Sequence, residues 1–135
     1  MKYLIKQRRD SKLSLHIKYN NRTNLLYKME KKIKKDSPEQ CLFIAVILQA
    51  LLDASKPKTE TETVEINYNR ERARAWFFAS VGVTCKDYIE VCDHAGINYS
   101  DTRLFAHQLI QSDNKRKIRQ KINLILRKDL PIKIM

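Results

Sequence analysis

Apolar residues recur at helical spacing along most of this chain. Leu25, Leu26, Met29 and Ile33 fall on one face of a helix predicted over residues 24–35, whose other face carries lysines. The segment SPEQ then marks a second helix start, because Ser37 can cap a helix that has proline at its first position. The residues from 38 to about 54 are apolar almost all round, which predicts the central buried helix.

Capping residues divide the second half of the chain into further helices. Asn69 is expected to cap a helix that buries Trp76 and Phe77. Thr84 and Asp87 have capping-box spacing and predict a helix that runs to residue 95. The exposed face of the Trp76 helix is predicted to carry Arg70, Arg72 and Arg74.

Gly96 stands where a helix end needs a left-handed residue, and Asn98 or Ser100 can cap the helix that follows to about residue 111. The last segment starts at an Asp/Asn cap and becomes a basic helix. Its apolar stripe is formed by Ile118, Ile122 and Ile125.

Residues 1–23 have a different pattern, in which apolar and polar residues alternate between Leu13 and Tyr19. This alternation suits a short strand, and an extended basic arm is an equal alternative. The candidate partners for a two-stranded ribbon are Val64, Ile66 and Tyr68.

These patterns predict a mainly α protein, a compact bundle of five to six helices that contains a helix-turn-helix. Only two glycines and three prolines occur in 135 residues, which also favours helices over a many-stranded fold. We expect an arm or strand over 1–23, a helical domain over 24–112 with the helix-turn-helix at 84–112, and a basic helix over 113–135.

Positive charge is concentrated at the two ends of the chain. The formal net charge is +12, and residues 1–35 carry twelve Lys/Arg against two Asp/Glu, whereas residues 113–135 carry eight against two. Such a distribution is typical of a protein that contacts phosphate backbones. The abundance of Lys, Ile and Asn is an alternative source of the same charge, since an AT-rich genome favours these residues in any protein.

The sequence contains no pattern that indicates a membrane, secreted, metal-binding or enzymatic function. No apolar run has membrane-spanning length, and no secretory signal is recognisable, so a cytoplasmic protein is expected. Three cysteines without a CxxC pair indicate reduced thiols, and packing is the simpler role than zinc binding for Cys85, Cys92, His94 and His107. No catalytic motif is present, so neither an enzyme nor a cofactor is predicted.

The segment YIEVCDHAGINYSDTRLFAHQL carries the functional prediction. Cys92 provides a small residue where a second helix can cross, and Gly96 provides the turn. Thr102 and Phe105 are predicted to face inward. The outward residues predicted to contact DNA bases are Asn98, Ser100, Arg103 and His107. The residues predicted to contact the DNA backbone are Lys86, Tyr99, Arg116, Lys117 and Arg119.

Two residues of the same helix oppose this prediction. Leu104 is apolar on the outward face, and Asp101 repels phosphate although it stabilises the helix N-terminus. Two alternatives therefore stay open: a helical adaptor that docks a protein partner or takes part in phage assembly, and an RNA-binding protein that uses the basic ends.

Three segments, FIAVILQALLDA, RERARAWFFAS and DYIEVCDHAGINYSDTR, resemble a group of small phage- and prophage-encoded proteins. The resemblance covers roughly residues 42–112, and the chain departs from it in having Asn98-Tyr99-Ser100 in place of a proline-containing turn. It implies a helical, DNA-associated protein of mobile-element origin. Together with the charge, it predicts a transcriptional regulator that reads the major groove of duplex DNA with residues 98–107, as a homodimer.

Overall fold

Six helices make up residues 25–129, the part of the chain that the computed structural model describes. They are α1 over residues 25–35, α2 Pro38–Ala54, α3 Val64–Phe78, α4 Gly82–Ala95, α5 Tyr99–Gln111 and α6 Lys115–Leu124, which continues as π-helix over Ile125–Asp129. No strand occurs within these residues, so the predicted mainly α bundle is confirmed. The arm or strand predicted over residues 1–23 lies outside the described residues.

Helix α2 forms the centre of the bundle, as its apolar sequence predicts. Ile44, Ile47, Leu48 and Leu51 are fully enclosed. Helices α3, α4, α5 and α6 all pack against α2, so one helix contributes to most of the interhelical contacts. Ser37 caps the helix, since its Oγ accepts a hydrogen bond from the Gln40 N–H at 3.3 Å.

The first and last helices close the same core from opposite ends of the chain. The α1 residues Met29 and Ile33 are buried, as are Ile122 and Ile125 of the basic C-terminal segment. The predicted apolar stripe of that segment is therefore confirmed. The basic residues of α6 are held on the bundle by the stripe rather than on a separate arm.

Helix α3 starts six residues earlier than the sequence predicts. Thr63, not Asn69, is its cap, and the Thr63 Oγ1 accepts from the Ile66 N–H at 3.2 Å. The segment from Val64 to Tyr68 is consequently helical, and the alternative of a β-ribbon partner there is wrong. A threonine hydroxyl that precedes a helix can also cap it, although asparagine is the more common cap, and the β-branched residues beyond Thr63 are tolerated in an exposed first turn.

Helix α4 also begins before its predicted capping box. It starts at Gly82, which has φ +90°, and Val81 precedes it without a side-chain cap. Thr84 and Asp87 lie inside the helix, so the predicted start is wrong. The Asp87 carboxylate instead accepts a hydrogen bond from the indole N–H of Trp76 at 2.8 Å, which joins α4 to α3.

Arg70 stabilises the connection between α2 and α3. The prediction that Arg70 lies on an exposed face is wrong. The side chain is only 2% exposed, and its guanidinium forms a bidentate ion pair with Glu62 at 2.6 and 2.9 Å. It also donates to the backbone oxygens of Lys56 and Pro57 at 2.9 and 3.4 Å. One arginine therefore provides hydrogen bonds to polar groups of a loop that contains neither helix nor strand.

We expect this ion pair to make stability depend on acid pH. Hydrogen bonding to Arg70 lowers the pKa of Glu62 from 4.5 to about 2 in the folded protein. A depressed folded-state pKa gives stability that is complete above the unfolded-state pKa and is lost as pH falls towards the folded-state pKa. The melting temperatures of wild type and Glu62→Gln should therefore differ at pH 7 and converge between pH 4.5 and 2.

The matched control for this measurement is Glu60→Gln. Glu60 is an exposed carboxylate in the same connection, so its replacement should change the melting temperature little at either end of the range. A difference between wild type and Glu62→Gln that stays constant from pH 7 to pH 2 would contradict the assignment.

Candidate nucleic-acid interface

The turn between α4 and α5 has the geometry that the sequence predicts. Gly96 takes the left-handed conformation, with φ +71° and ψ +30°. The Ile97 N–H donates to the Cys92 oxygen at 3.0 Å and the Gly96 N–H to the Asp93 oxygen at 3.1 Å. This pair of bonds closes the end of α4 and turns the chain directly into α5.

The two helices are held together by buried side chains on both sides of the turn. Cys92, Ala95, Thr102 and Phe105 are at most 2% exposed, which confirms the predicted inward faces. In addition, the Tyr88 hydroxyl of α4 donates to the backbone oxygen of Tyr99 at the start of α5. The orientation of α5 is thus fixed at its N-terminal end.

Three of the four predicted base-contacting residues are exposed on α5 or at its cap. Ser100 and His107 lie on the exposed face, and Asn98 precedes the helix. The Asn98 Oδ1 accepts from the Asp101 N–H at 3.0 Å, so Asn98 rather than Ser100 is the cap. The amide nitrogen of Asn98 remains available for a second partner while the oxygen holds the helix start.

Arg103, the fourth predicted base-contacting residue, is bonded inside the protein. Its Nε donates to the Phe77 oxygen at 2.6 Å, and its Nη2 donates to the Ala79 oxygen at 3.2 Å. The guanidinium carbon also lies 5.0 Å from the centre of the Tyr88 ring. The donor fork that would read a guanine is therefore used to cap the C-terminus of α3.

The predicted backbone-contacting residues divide in the same way. Lys86, Arg116 and Lys117 are exposed, and Tyr99 is 39% exposed. Arg119, by contrast, donates to the Leu52 oxygen and to the Ser55 Oγ, the latter at 2.7 Å. Burial lowers the pKa of Arg119, and its bonds close the C-terminal end of α2.

Arginines from other helices donate hydrogen bonds to the carbonyl groups at the ends of α2 and α3. The sequence prediction did not include these bonds. Arg74 donates to the Ala54 oxygen at 3.0 Å, beside the bonds that Arg119 makes. Neither α2 nor α3 has a basic residue in its last turn. That lack was the available signal, because terminal carbonyls without a local cation need a donor from elsewhere.

Two cations of α6, Lys115 and Arg116, border an open cleft. They lie with Lys117 in the first turn of the helix, and Asn114, which precedes that turn, makes no side-chain capping bond. Positive charge at a helix N-terminus is unfavourable on its own and favours a bound anion. The cleft has a volume of about 680 Å³ and is lined by Pro57, Ser112, Asp113, Lys115, Arg116, Arg119, Gln120 and Asn123.

An apolar surface lies beside the exposed face of α5. Phe78, Val81 and Val83, around the α3–α4 turn, are 38%, 82% and 86% exposed. The Phe78 ring meets the His107 ring edge-on at 6.2 Å. Leu104, which directly precedes the buried Phe105 in α5, is 43% exposed. We call Phe78, Val81 and Val83 the apolar turn surface.

The cysteines and histidines are placed separately. All three cysteines are buried and reduced, and burial raises the pKa of the Cys92 thiol to about 11. His94 stacks on Phe43, with the ring centres 4.8 Å apart. Within residues 25–129 no three His, Cys, Asp or Glu side chains are grouped as metal ligands.

The fold and these surfaces define a small all-α bundle with a tight turn between α4 and α5 and a cleft lined by cations. Comparison with protein-family models, with curated proteins and with solved structures found no match. Among residues 25–129, no helix is both long and apolar enough to cross a membrane.

Proposed function

We propose that this protein binds duplex DNA and acts as a transcriptional regulator of the kind that phages and other mobile elements encode. The observation that carries the proposal is the cleft at the start of α6, which Lys115 and Arg116 line and beside which Lys117 occupies the same helical turn. Phosphate oxygens are the anions that such a site accepts, and hydroxyl and amide donors line the same cleft.

The second part of the interface is the exposed face of α5 together with the cap that precedes the helix. Ser100 and His107 present exposed hydrogen-bonding groups there, and Asn98 lies at the cap. Helix α5 has 13 residues and is therefore about 20 Å long, which separates its start from α6 by roughly six base pairs of duplex. One protomer can contact a groove with α5 and the backbone with α6.

The proposed division of roles differs from the sequence prediction at two arginines. Arg103 and Arg119 make internal bonds, so we assign neither of them to DNA. Asn98, Ser100 and His107 remain the proposed base contacts, and Lys86, Tyr99, Arg116 and Lys117 the proposed backbone contacts. A homodimer would supply two half-sites and is part of the proposal.

Fluorescence anisotropy with labelled duplex DNA across a salt series tests the backbone contacts. We expect Arg116→Ala and Lys117→Ala each to reduce the slope of log affinity against log salt by about 0.9, the value for one lost phosphate contact. Affinity near physiological salt should fall about three- to tenfold in each variant.

The matched control is Arg72→Ala, since Arg72 is an exposed arginine of α3 that lies outside the α6 cleft. Its removal should leave the slope unchanged. Undetectable or salt-independent binding to duplex DNA would refute the proposal, and stronger competition by duplex RNA would move it to RNA.

A protein-docking function is the second candidate, favoured by the exposed side chains of the apolar turn surface and, separately, of Leu104. Contiguous exposed apolar groups are characteristic of surfaces that bind other proteins. Leu104→Glu separates the two candidates: it should abolish a complex with a protein partner but change DNA affinity only modestly. Sedimentation of the variant also shows whether the proposed homodimer uses this surface.

A further inference from the structure

Helix α3 has apolar residues on two opposite faces. One face packs on the bundle, where Phe77 is fully enclosed. The other face is exposed and carries, in steps of four and three residues, Val64, Tyr68, Glu71, Ala75 and Phe78. Such steps keep side chains on one side of an α-helix, as in the seam of a coiled coil. We call these five residues the α3 stripe.

The α3 stripe is unusually apolar for an exposed face. Val64 and Tyr68 are 87% and 59% exposed, and Glu71 is the one charged member. The apolar turn surface continues the stripe beyond the end of the helix, because Phe78 belongs to both. Ala75 and Val83 also line one open groove of about 570 Å³ beside the start of α4. An exposed apolar patch of this length is typical of a surface that another protein covers.

We propose that a second copy of this chain covers the α3 stripe. In the proposed dimer, α3 packs antiparallel against α3 of the partner subunit, about a two-fold axis level with Ala73. Seams with this spacing are formed by helices in both orientations, so the residues of the stripe must select one. The interface rests on the homodimer of the proposed function, but it does not require DNA.

The order of side chains along the stripe is complementary to its own reverse. Around the proposed axis, Tyr68 lies opposite the partner's Phe78, and Glu71 lies opposite the partner's Ala75. Val64 faces the partner's apolar turn surface. The large apolar side chains most exposed within residues 25–129 therefore meet in one cluster, namely those of Val64, Val81 and Val83. Each contact occurs twice, as a two-fold interface between identical copies requires.

Charge selects the antiparallel orientation. Glu71 and Arg72 lie within two residues of the axis, so each Glu71 carboxylate can pair with the partner's Arg72. Both side chains are exposed, and within residues 25–129 neither forms an ion pair. A parallel pair would instead place Glu71 against the partner's Glu71, and like charges repel. The exposed ion pairs add little affinity and mainly fix the orientation.

The exposed apolar area suits a dimer of moderate strength. Helix α3 has 15 residues and is therefore about 22 Å long. A specific interface buries at least about 1,000 Å², or about 500 Å² from each copy. Each copy offers five large apolar side chains that are between 38% and 87% exposed, namely Val64, Tyr68, Phe78, Val81 and Val83. We therefore expect dissociation at about micromolar concentration, the weak end for specific interfaces.

Sedimentation equilibrium of the full-length protein without DNA, from about 1 to 100 µM, tests the interface. Wild type should associate to a dimer. Tyr68→Glu should raise the dissociation constant at least about a hundredfold, because it places an unpaired charge in the centre of the seam. Its circular dichroism should match that of wild type, since Tyr68 packs on the solvent side of α3. The matched control is Leu104→Glu, which changes an exposed apolar residue of α5 and should leave dimerisation unchanged.

Cysteine cross-linking tests the orientation. In the antiparallel pair, position 71 of one copy lies beside position 75 of the other. An equal mixture of Glu71→Cys and Ala75→Cys should therefore form a disulfide-linked dimer on mild oxidation. Each variant alone should cross-link far less, and the three native cysteines are buried. Efficient cross-linking of Glu71→Cys to itself would indicate a parallel pair and contradict the alignment.

Two sedimentation results would overturn the interface: a wild-type monomer at 100 µM, or a Tyr68→Glu dimer as strong as that of wild type. Loss of the dimer in Leu104→Glu alone would move the contact to α5. A wild-type dimer that is lost in Tyr68→Glu supports the interface even if the protein does not bind DNA, so failure of the proposed DNA binding is recognised separately.

Discussion

Replacement of Arg70 by methionine is expected to lower the free energy of unfolding by about 3 kcal/mol. Methionine keeps much of the apolar stem of the side chain but removes both guanidinium bonds to Glu62, which retains only the Thr59 N–H, and the bond to the Lys56 oxygen. Removal of one partner from a largely buried ion pair typically costs about 3–5 kcal/mol, because the other charge stays behind. We take the lower end, since Glu62 is 11% exposed and can recover some hydration.

Chemical denaturation of four proteins measures this effect and its origin. They are wild type, Arg70→Met, Glu62→Gln and the double variant, which together form a double-mutant cycle. The double variant should be more stable than the sum of the single losses implies. Arg72→Met, an exposed arginine two residues away, should change stability by less than about 0.5 kcal/mol. Equal losses for Arg70→Met and Arg72→Met would contradict the assignment.

The hydrogen bonds of Arg70 also hold a residue that lines the proposed DNA-binding cleft. Arg70 donates to the Pro57 oxygen, and Pro57 lines the cleft at the start of α6. The wall of that cleft opposite Lys115 and Arg116 is therefore held from α3. If the connection loosens in Arg70→Met, DNA affinity should fall as well, although Arg70 itself is buried away from any phosphate.

The helices could be predicted because apolar residues recur at regular spacing along their buried faces. Their first residues were harder to predict, because a capping residue occurs once per helix and does not form a repeating pattern. Each of α1, α2, α5 and α6 has a periodic apolar face in the sequence, and the structure places each face in the core. Thr63, Asn69 and Thr84 all belong to residue types that cap helices. Only Thr63 does so, and Asp87, the expected capping-box partner of Thr84, instead accepts a hydrogen bond from Trp76.

The sequence predicted correctly where the short side chains of the candidate interface lie, but it did not predict that two of its arginines form bonds within the protein. A serine or asparagine next to a helix start acts within a few residues, so position alone narrowed the cap to Asn98 or Ser100, and the structure shows that it is Asn98. Arg119 bonds a residue 67 positions away, and Arg103 bonds a residue 26 positions away. Periodicity describes which way such a side chain leaves its helix, but a long flexible chain can return to a carbonyl on another helix.

Arg103→Ala is expected to act on stability rather than on DNA sequence preference. The variant loses two charge-assisted hydrogen bonds to the end of α3 and a cation–π contact with Tyr88. Such bonds contribute about 1.5–3 kcal/mol each, and they are not additive, so we expect a total loss of about 3 kcal/mol. Arg103→Lys should recover only part of this, because an ammonium cannot reach two carbonyls with a planar fork.

The measurement pairs unfolding with DNA selection at a temperature where every variant is folded. Arg103→Ala should enrich the same duplexes from a random pool as wild type, whereas His107→Ala, on the exposed face one turn further, should lose preference at one position and unfold normally. Unchanged stability of Arg103→Ala would contradict the assignment. If the variant loses both stability and sequence preference, the guanidinium leaves Phe77 and Ala79 when DNA binds. The C-terminus of α3 would then lose its cap in the complex, and α3 and α5 would be coupled through one side chain.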